Sequence, residues 1–266
     1  MQKEWDEKEI EFLIKNYEKM SYREIGKILE RTQSSVENKA HRLGISQEKK
    51  YKFNSDFFKN PLNEHSCYWL GFISADGYIS KDNKSIGIAL KADDCEHLKK
   101  FNKDIEGNIP VTFRTKKQTF YKGKNIPERN QCEIRIYSKE LVKDVRSYGI
   151  IPKKSLILEF PKIENNGLMW HYIRGYFDGD GSIYYDKNSN QLRIKITCGA
   201  PSFIKDFREY LDKYNIKTYV SSSGIDCGIT GKESTRIFLS NIYDNANIYL
   251  ERKYKKYQNY KYLWPQ

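Results

Sequence analysis

The sequence predicts an α+β protein: a pseudo-two-fold pair of αββαββα modules forming a saddle, plus a small all-α three-helix N-terminal domain. Three observations predict it. One nine-residue stretch occurs twice, 104 residues apart, as Trp69-Leu70-Gly71-Phe72-Ile73-Ser74-Ala75-Asp76-Gly77 and Ile173-Arg174-Gly175-Tyr176-Phe177-Asp178-Gly179-Asp180-Gly181. Each copy is followed by the same succession of period-two and helical patterns. Ahead of both, residues 1–46 carry three helix-start signals and no strand pattern. The expected boundaries are 1–46 for the N-terminal domain, 47–60 for a linker, 61–160 for the first module and 161–266 for the second.

Within residues 1–46, Asp6 with Glu9 and Ser21 with Glu24 read as capping boxes. Thr32 caps a third helix that ends at Gly44. The apolar stripes are Trp5, Ile10, Leu13, Ile14 and Tyr17, then Ile25, Ile28 and Leu29, then Val36, Ala40 and Leu43. Three helices with an early tryptophan and a polar third helix resemble a Myb/SANT-like helix-turn-helix. That resemblance implies that the third helix reads DNA through Asn38, His41 and Arg42, with Gln33, Ser34 and Glu37 beside them. A three-helix protein-interaction module is the plainer alternative. Residues 47–60 then read as a basic linker, with Lys49 and Lys50, that turns aromatic at Phe57 and Phe58.

Pro61 and Asn63 can start the first motif helix. In each motif small residues sit four apart, Gly71 with Ala75 and Gly175 with Gly179, so each pair shares one helix face. Glycine inside a helix costs about 0.5–1 kcal/mol relative to alanine. Close approach of a second backbone would justify it, with the two motif helices packed small face to small face. Their C-terminal ends would then bring Asp76 and Asp180 together. Two carboxylates at the negative ends of two helix dipoles repel each other unless a divalent cation joins them. A turn after a core helix is the ordinary reading of one Asp-Gly; two copies in a repeated module favour the metal.

The first module continues with a hairpin, Tyr78–Lys81 and Ser85–Lys91, turned at Asp82-Asn83-Lys84. A helix over 93–105 follows, then strands over 111–116 and 131–137 and a helix over 139–148. The loop between those strands is basic, with Lys117, Lys122, Lys124 and Arg129. The second copy repeats the order, with a hairpin of 182–186 and 192–197, a helix over 201–214, strands over 218–222 and 225–230, and a helix over 232–243. The tail over 252–264 alternates Lys and Tyr as an amphipathic helix. Arg193, Lys195 and Thr197 alternate with Ile194 and Ile196, and Arg114, Lys116 and Arg135 hold comparable places in the first copy. One face of each sheet therefore packs on helices while the other is polar and basic.

The repeated stretch resembles the motif of the LAGLIDADG homing endonucleases: glycine at the third position and Asp-Gly at the eighth and ninth stand in both copies. The resemblance covers the chain from about residue 51 onward. Ser74 and Arg174 depart from the pattern. The resemblance implies a site-specific double-strand DNA endonuclease that binds Mg²⁺, with Mn²⁺ able to substitute. Its metal ligands would be Asp76 and Asp180, with Ala75 and Gly179 contributing beside them. Lys154 and Lys253, each after its module's last helix, match the family's lysine near the cleaved phosphate. Arg114, Lys116, Arg135, Arg193 and Lys195 would lie in the major groove of a long target. The alternatives on the same fold are an RNA-splicing maturase, with intron RNA as partner, and a non-catalytic DNA-binding regulator.

Composition agrees. The 266-residue chain holds 47 Lys+Arg against 35 Asp+Glu, net +12, which favours a polyanionic partner. Residues 1–50 are nearly balanced, with 11 basic and 10 acidic side chains, so the excess lies downstream. Five scattered cysteines without a C-x-x-C pattern argue for reduced thiols and against a zinc site. Nothing reads as a signal peptide or a membrane span, so a cytoplasmic or nucleoid-associated location is expected, an organelle being equally compatible, and not secretion. The chain is expected to act as a monomer. Lacking an intein's terminal residues, it is expected to be free-standing or intron-encoded.

Overall fold

The computed structural model describes residues 4–45, 51–59, 62–121, 124–126, 129–187 and 191–261. The chain divides into two compact units, Met1–Tyr51 and Lys52–Gln266, with separate cores.

The first unit holds three helices: α1 (Glu7–Asn16), α2 (Tyr22–Ile28) and α3 (Gln33–Arg42). Both capping boxes form, Asp6 with Glu9 and Ser21 with Glu24, and Thr32 caps α3. Gly44 ends the third helix at φ 69°, a conformation that glycine adopts without strain. The core is Leu13, Ile25, Val36 and Ala40. Ile14, Ile28 and Leu43, expected inside by their spacing, are exposed. A three-helix bundle this small has room for one residue per turn at its centre, so side chains a quarter-turn away stay at the rim. Trp5 takes part as a lid, with the Arg31 guanidinium 4.3 Å over its ring while Arg31 pairs with the buried Glu9 at 2.7 Å.

The second unit begins earlier than the expected module boundary. Lys52 and Asn54 bond to the chain at Asn108 and Ile105, and Phe57 and Phe58 are buried in the main core. From Lys52 on, the expected linker is thus packed; Lys49 and Lys50 lie outside the described residues, as does Pro61. The first module runs α4 (Glu64–Ala75), β1 (Gly77–Ile79), β2 (Ser85–Lys91), α5 (Cys95–Asp104), β3 (Thr112–Lys116), β4 (Thr119–Tyr121), β5 (Lys124–Ile126), β6 (Arg129–Tyr137) and α6 (Lys139–Ser147). The second runs α7 (Asn166–Asp180), β7 (Gly181–Asp186), β8 (Gln191–Thr197), α8 (Pro201–Asp212), β9 (Thr218–Val220), β10 (Asp226–Ile229), α9 (Lys232–Tyr243) and α10 (Glu251–Lys261).

Both modules build the same antiparallel sheet, ordered β1-β2-β6-β3 in the first and β7-β8-β10-β9 in the second. The first has one addition that the sequence does not signal, the β4–β5 hairpin within its basic loop; Lys122 lies outside the described residues. Alternation along β2 and β8 puts Ile86, Ile88, Leu90, Leu192, Ile194 and Ile196 into the core, under helices that cover one face of each sheet.

The two modules join through α4 and α7. A Cβ added to Gly71 would lie 1.9 Å from the Tyr172 carbonyl oxygen and 2.8 Å from the Tyr176 nitrogen. A Cβ on Gly175 would meet the Tyr68 oxygen and Phe72 nitrogen at the same two distances. Backbone touches backbone at both places, and no side chain larger than hydrogen fits. One turn on, a Cβ on Gly179 would stand 2.4 Å from that of Ala75. The crossing is therefore pseudo-symmetric and as close as two helices can come. Among the described residues no helix is long and apolar enough to cross a membrane.

Candidate active site

The helix crossing sets where the motif acids go. Asp76 is the C-cap of α4 and Asp180 is the last residue of α7. The Asp76 carboxylate lies against the Gly179 backbone, 3.4 Å from where a Cβ would stand. Asp180 is partly buried, and desolvation followed by the Asp76 charge pushes its carboxyl up to about 6. Asp76 is open to solvent, yet the protein atoms around it still raise its carboxyl, and Lys253 and Lys154 oppose the rise. Neither carboxylate has a hydrogen-bond or ion-pair partner among the described residues.

Two buried lysines close the site from either side. Lys154 follows Lys153, which sits in the left-handed region at φ 59°. Its ammonium donates to the Gly77 carbonyl at 2.6 Å and to that of Ala75 at 3.3 Å. Lys253 rides on α10 and donates to the Phe177 carbonyl at 2.6 Å and that of Gly179 at 3.1 Å. Each lysine thus caps the C-terminal end of one motif helix, where a cation is favoured. Burial lowers both, Lys253 to about 8, with Asp178 opposing.

These groups fit a divalent cation of a particular kind. The donors are oxygens only, two unpaired carboxylates flanked by the carbonyls of Ala75 and Gly179. The lysine contacts to those two carbonyls are the longer of each pair, and a carbonyl oxygen keeps a second lone pair. Among the described residues no group of three or more His, Cys, Asp and Glu could hold a metal ion. Mg²⁺ accepts such a sparse site, because it takes one or two carboxylates and completes its shell with water and substrate phosphate. Zinc would want three or four protein ligands including nitrogen or sulfur.

Behind the second helix end lies a buried polar network that the sequence reading did not foresee. Asp178 is fully buried and accepts from Tyr243 Oη at 2.6 Å, Tyr68 Oη at 2.8 Å and the Leu250 amide at 2.7 Å. Tyr68 Oη also bonds His97 Nε2 at 2.8 Å, and burial drops that imidazole to about 3, so it is neutral. Asp178 thereby ties down the chain immediately before α10 and hence Lys253. The first copy has Ser74 instead, which donates to the Leu70 carbonyl. The off-pattern Arg174 is a buried strut: it donates to the Ile242 carbonyl at 3.1 Å and to Glu64 Oε1 at 2.7 Å. The two departures from the motif, at 74 and 174, were the signal available.

The predicted DNA-facing residues fall in two groups. Asn38, His41 and Arg42 are exposed on α3 of the first unit. On the sheets, Arg114 and Arg135 share the polar face of β3 and β6, and Arg193 and Lys195 share that of β8. None of these four is a bare cation. Arg114 pairs with Glu133 at 3.1 Å, Arg193 with Asp186 at 3.4 Å and Lys195 with Asp226 at 3.2 Å, while Arg135 donates to Tyr78 Oη at 2.8 Å. Lys116 ends β3, but its side chain lies outside the described residues.

Residues 168–243 match the family model of the LAGLIDADG-like domain. The chain is 27% identical over 212 residues to the replication factor C small subunit of Methanocaldococcus jannaschii, covering 75% of this chain and 10% of that protein. It is 24% identical over 168 residues to an uncharacterized protein of the same organism, covering 63% of this chain and 57% of the relative. The chain thus spans from about a tenth to little more than half the length of these two relatives. Its fold is similar to that of the homing endonuclease I-WcaI bound to its DNA recognition sequence, with a TM-score of 0.52 at 16% identity over 82% of this chain and 98% of that one.

Proposed function

We propose that this chain, which carries a LAGLIDADG-like domain and the fold of a LAGLIDADG pseudo-dimer, is a site-specific double-strand DNA endonuclease dependent on Mg²⁺. The observation that carries the reading is the convergence of Asp76 and Asp180, both without a protein partner among the described residues, at the ends of two helices packed backbone to backbone. A fold that keeps two repelling carboxylates together forgoes stability, as sites for cations and phosphates do.

Asp76 and Asp180 would hold the cation together with the Ala75 and Gly179 carbonyls. When bound, Mg²⁺ supplies the Lewis acid and the activated water of phosphodiester hydrolysis. Lys154 and Lys253 each hold one helix end and would present positive charge where negative charge develops on the phosphate. The polar sheet faces carry Arg114, Arg135, Arg193 and Lys195, side chains suited to base edges and phosphates of a duplex major groove. The exposed row Asn38, His41 and Arg42 would extend the footprint.

The test is incubation of the protein and Mg²⁺ with a randomised duplex library, followed by sequencing of cut ends and gel shifts on the recovered site. Asp76→Asn and Asp180→Asn should each cut at least about a hundredfold more slowly while binding the site within a few-fold of wild type. Full cutting by either variant would remove the catalytic assignment. Selective binding without cutting by the wild-type chain would favour a DNA-binding regulator, and rescue of intron splicing without cutting would favour a maturase.

A further inference from the structure

We infer that Glu133 and Asp226 are specificity-determining residues of the saddle, acids built into its polar faces to hold the cations in place and keep them off unselected nucleic acid. The inference rests on the reading that these faces bind duplex DNA.

Glu133 stands on β6 in the row of Ala89 and Thr112, between the row of Arg135, Gly87 and Tyr78 and the row of Arg114 and Gln131. It is only 8% exposed, on a face it shares with Arg114 and Arg135. Its Oε2 holds Arg114 at 3.1 Å, and its Oε1 accepts from Tyr78 Oη, which in turn accepts from Arg135. The Tyr78 ring can lie there because Gly87 has no side chain: a Cβ would fall 2.3 Å from the ring. One acid therefore fixes a tyrosine and two arginines drawn from three strands.

The second sheet repeats the device with different residues on the matching strand. Asp226 begins β10, which occupies the position in its sheet that β6 has in the first. Its Oδ2 holds Lys195 at 3.2 Å and its Oδ1 accepts from Thr197 Oγ1 at 2.7 Å. A net charge of +12 overall makes acids on this face unexpected if its only task were to attract phosphate. With the Arg114 and Lys195 side chains 66% and 43% exposed, such pairs add little to stability. What they do is orient a fork of donors and charge their release: a phosphate must compete with the carboxylate, whereas a base edge that matches the held geometry need not displace it.

The test needs only binding. Glu133→Gln frees Arg114 and removes the negative charge 4.0 Å from Arg135, and Asp226→Asn frees Lys195, without adding any cation. Each freed cation that reaches a phosphate steepens the log–log salt dependence by about 0.9, so binding of a random-sequence duplex weakens about 3.5-fold more between about 50 and 200 mM salt. Both variants should bind that duplex more tightly than wild type at low salt, with steeper slopes, and should lose preference for the selected target. Unchanged or weaker binding with unchanged slopes would overturn the inference. Thermal melts of the same samples check folding, and if the more buried Glu133→Gln does not fold, Asp226→Asn decides the matter at a less buried site. A chain that cuts nothing would remove the nuclease reading and leave the slopes to judge this one. A chain and variants that bind no duplex at any salt would overturn both.

Discussion

At the residue scale the site is a balance between charge and burial. Asp180 has its carboxyl pushed from 3.8 to about 6 by desolvation and by Asp76. A carboxyl whose folded pKa lies above its unfolded value favours the folded state only below the unfolded value. Ionisation therefore costs stability progressively as pH rises from about 4 through 6, and the full cost is present at neutral pH. Asp180→Asn removes that cost. The metal-free variant should be more stable than the metal-free parent by about 1–2 kcal/mol at pH 7–8, after allowance for partial solvation, with the gain vanishing near pH 4. Urea or thermal unfolding across that range checks it. Added Mg²⁺ should raise the parent's midpoint and not the variant's. A gain that persists at pH 4 would mean the carboxylate is not what strains the site.

At the element scale the pair α4 and α7 organises everything else. The glycines at the crossing tolerate no Cβ, because the nearest atoms are backbone and cannot rotate away: the Tyr172 oxygen for Gly71 and the Tyr68 oxygen for Gly175, both at 1.9 Å. Even alanine must force the helices apart. Gly71→Ala and Gly175→Ala should each cost about 3 kcal/mol or more, above the usual range for overpacking by a methyl-sized group, because two helices must shift rather than one side chain. In a domain of this size that lowers the melting midpoint by roughly 6–12 °C. A thermal melt of either variant with an unchanged midpoint would show that the crossing is looser than the structure has it. Because the motif acids sit at the ends of the same helices, any separation at the glycines also moves Asp76 away from Asp180.

At the scale of the whole molecule, two units with separate cores share one chain. Residues 52–266 carry both sheets, both lysines, the motif acids and the large hydrophobic core. The N-terminal unit has a core of four buried residues. Removing residues 1–51 should leave a folded protein with the same melting midpoint within a degree or two and with cleavage chemistry intact. If the unit reads DNA, what should be lost is the flanking part of the footprint, since a bidentate base contact from Asn38 or Arg42 would be worth about 1–3 kcal/mol of discrimination. Footprinting full-length and shortened chains on one target measures it. An unchanged footprint and affinity would make the three-helix unit a protein-interaction module.

The sequence by itself determined the architecture and the acids. Repetition of the motif, cap residues such as Asp6, Ser21, Thr32 and Asn63, and alternation in strands such as 192–197 are local signals, and local signals survive in one dimension. The pairing of Gly71 with Gly175 was legible for the same reason, since a glycine costly to its own helix must be repaid by a neighbour. The tertiary structure alone decided which partners hold the other charges. Lys154 and Lys253 cap the motif helices through contacts 74 to 79 residues away in the chain. Asp178 reaches Tyr68 across 110 residues, and Glu133 collects Tyr78, Arg114 and Arg135 from separate strands. Period and propensity say which face a side chain takes, but the partner on that face is set by how strands and helices from distant parts of the chain come to lie side by side.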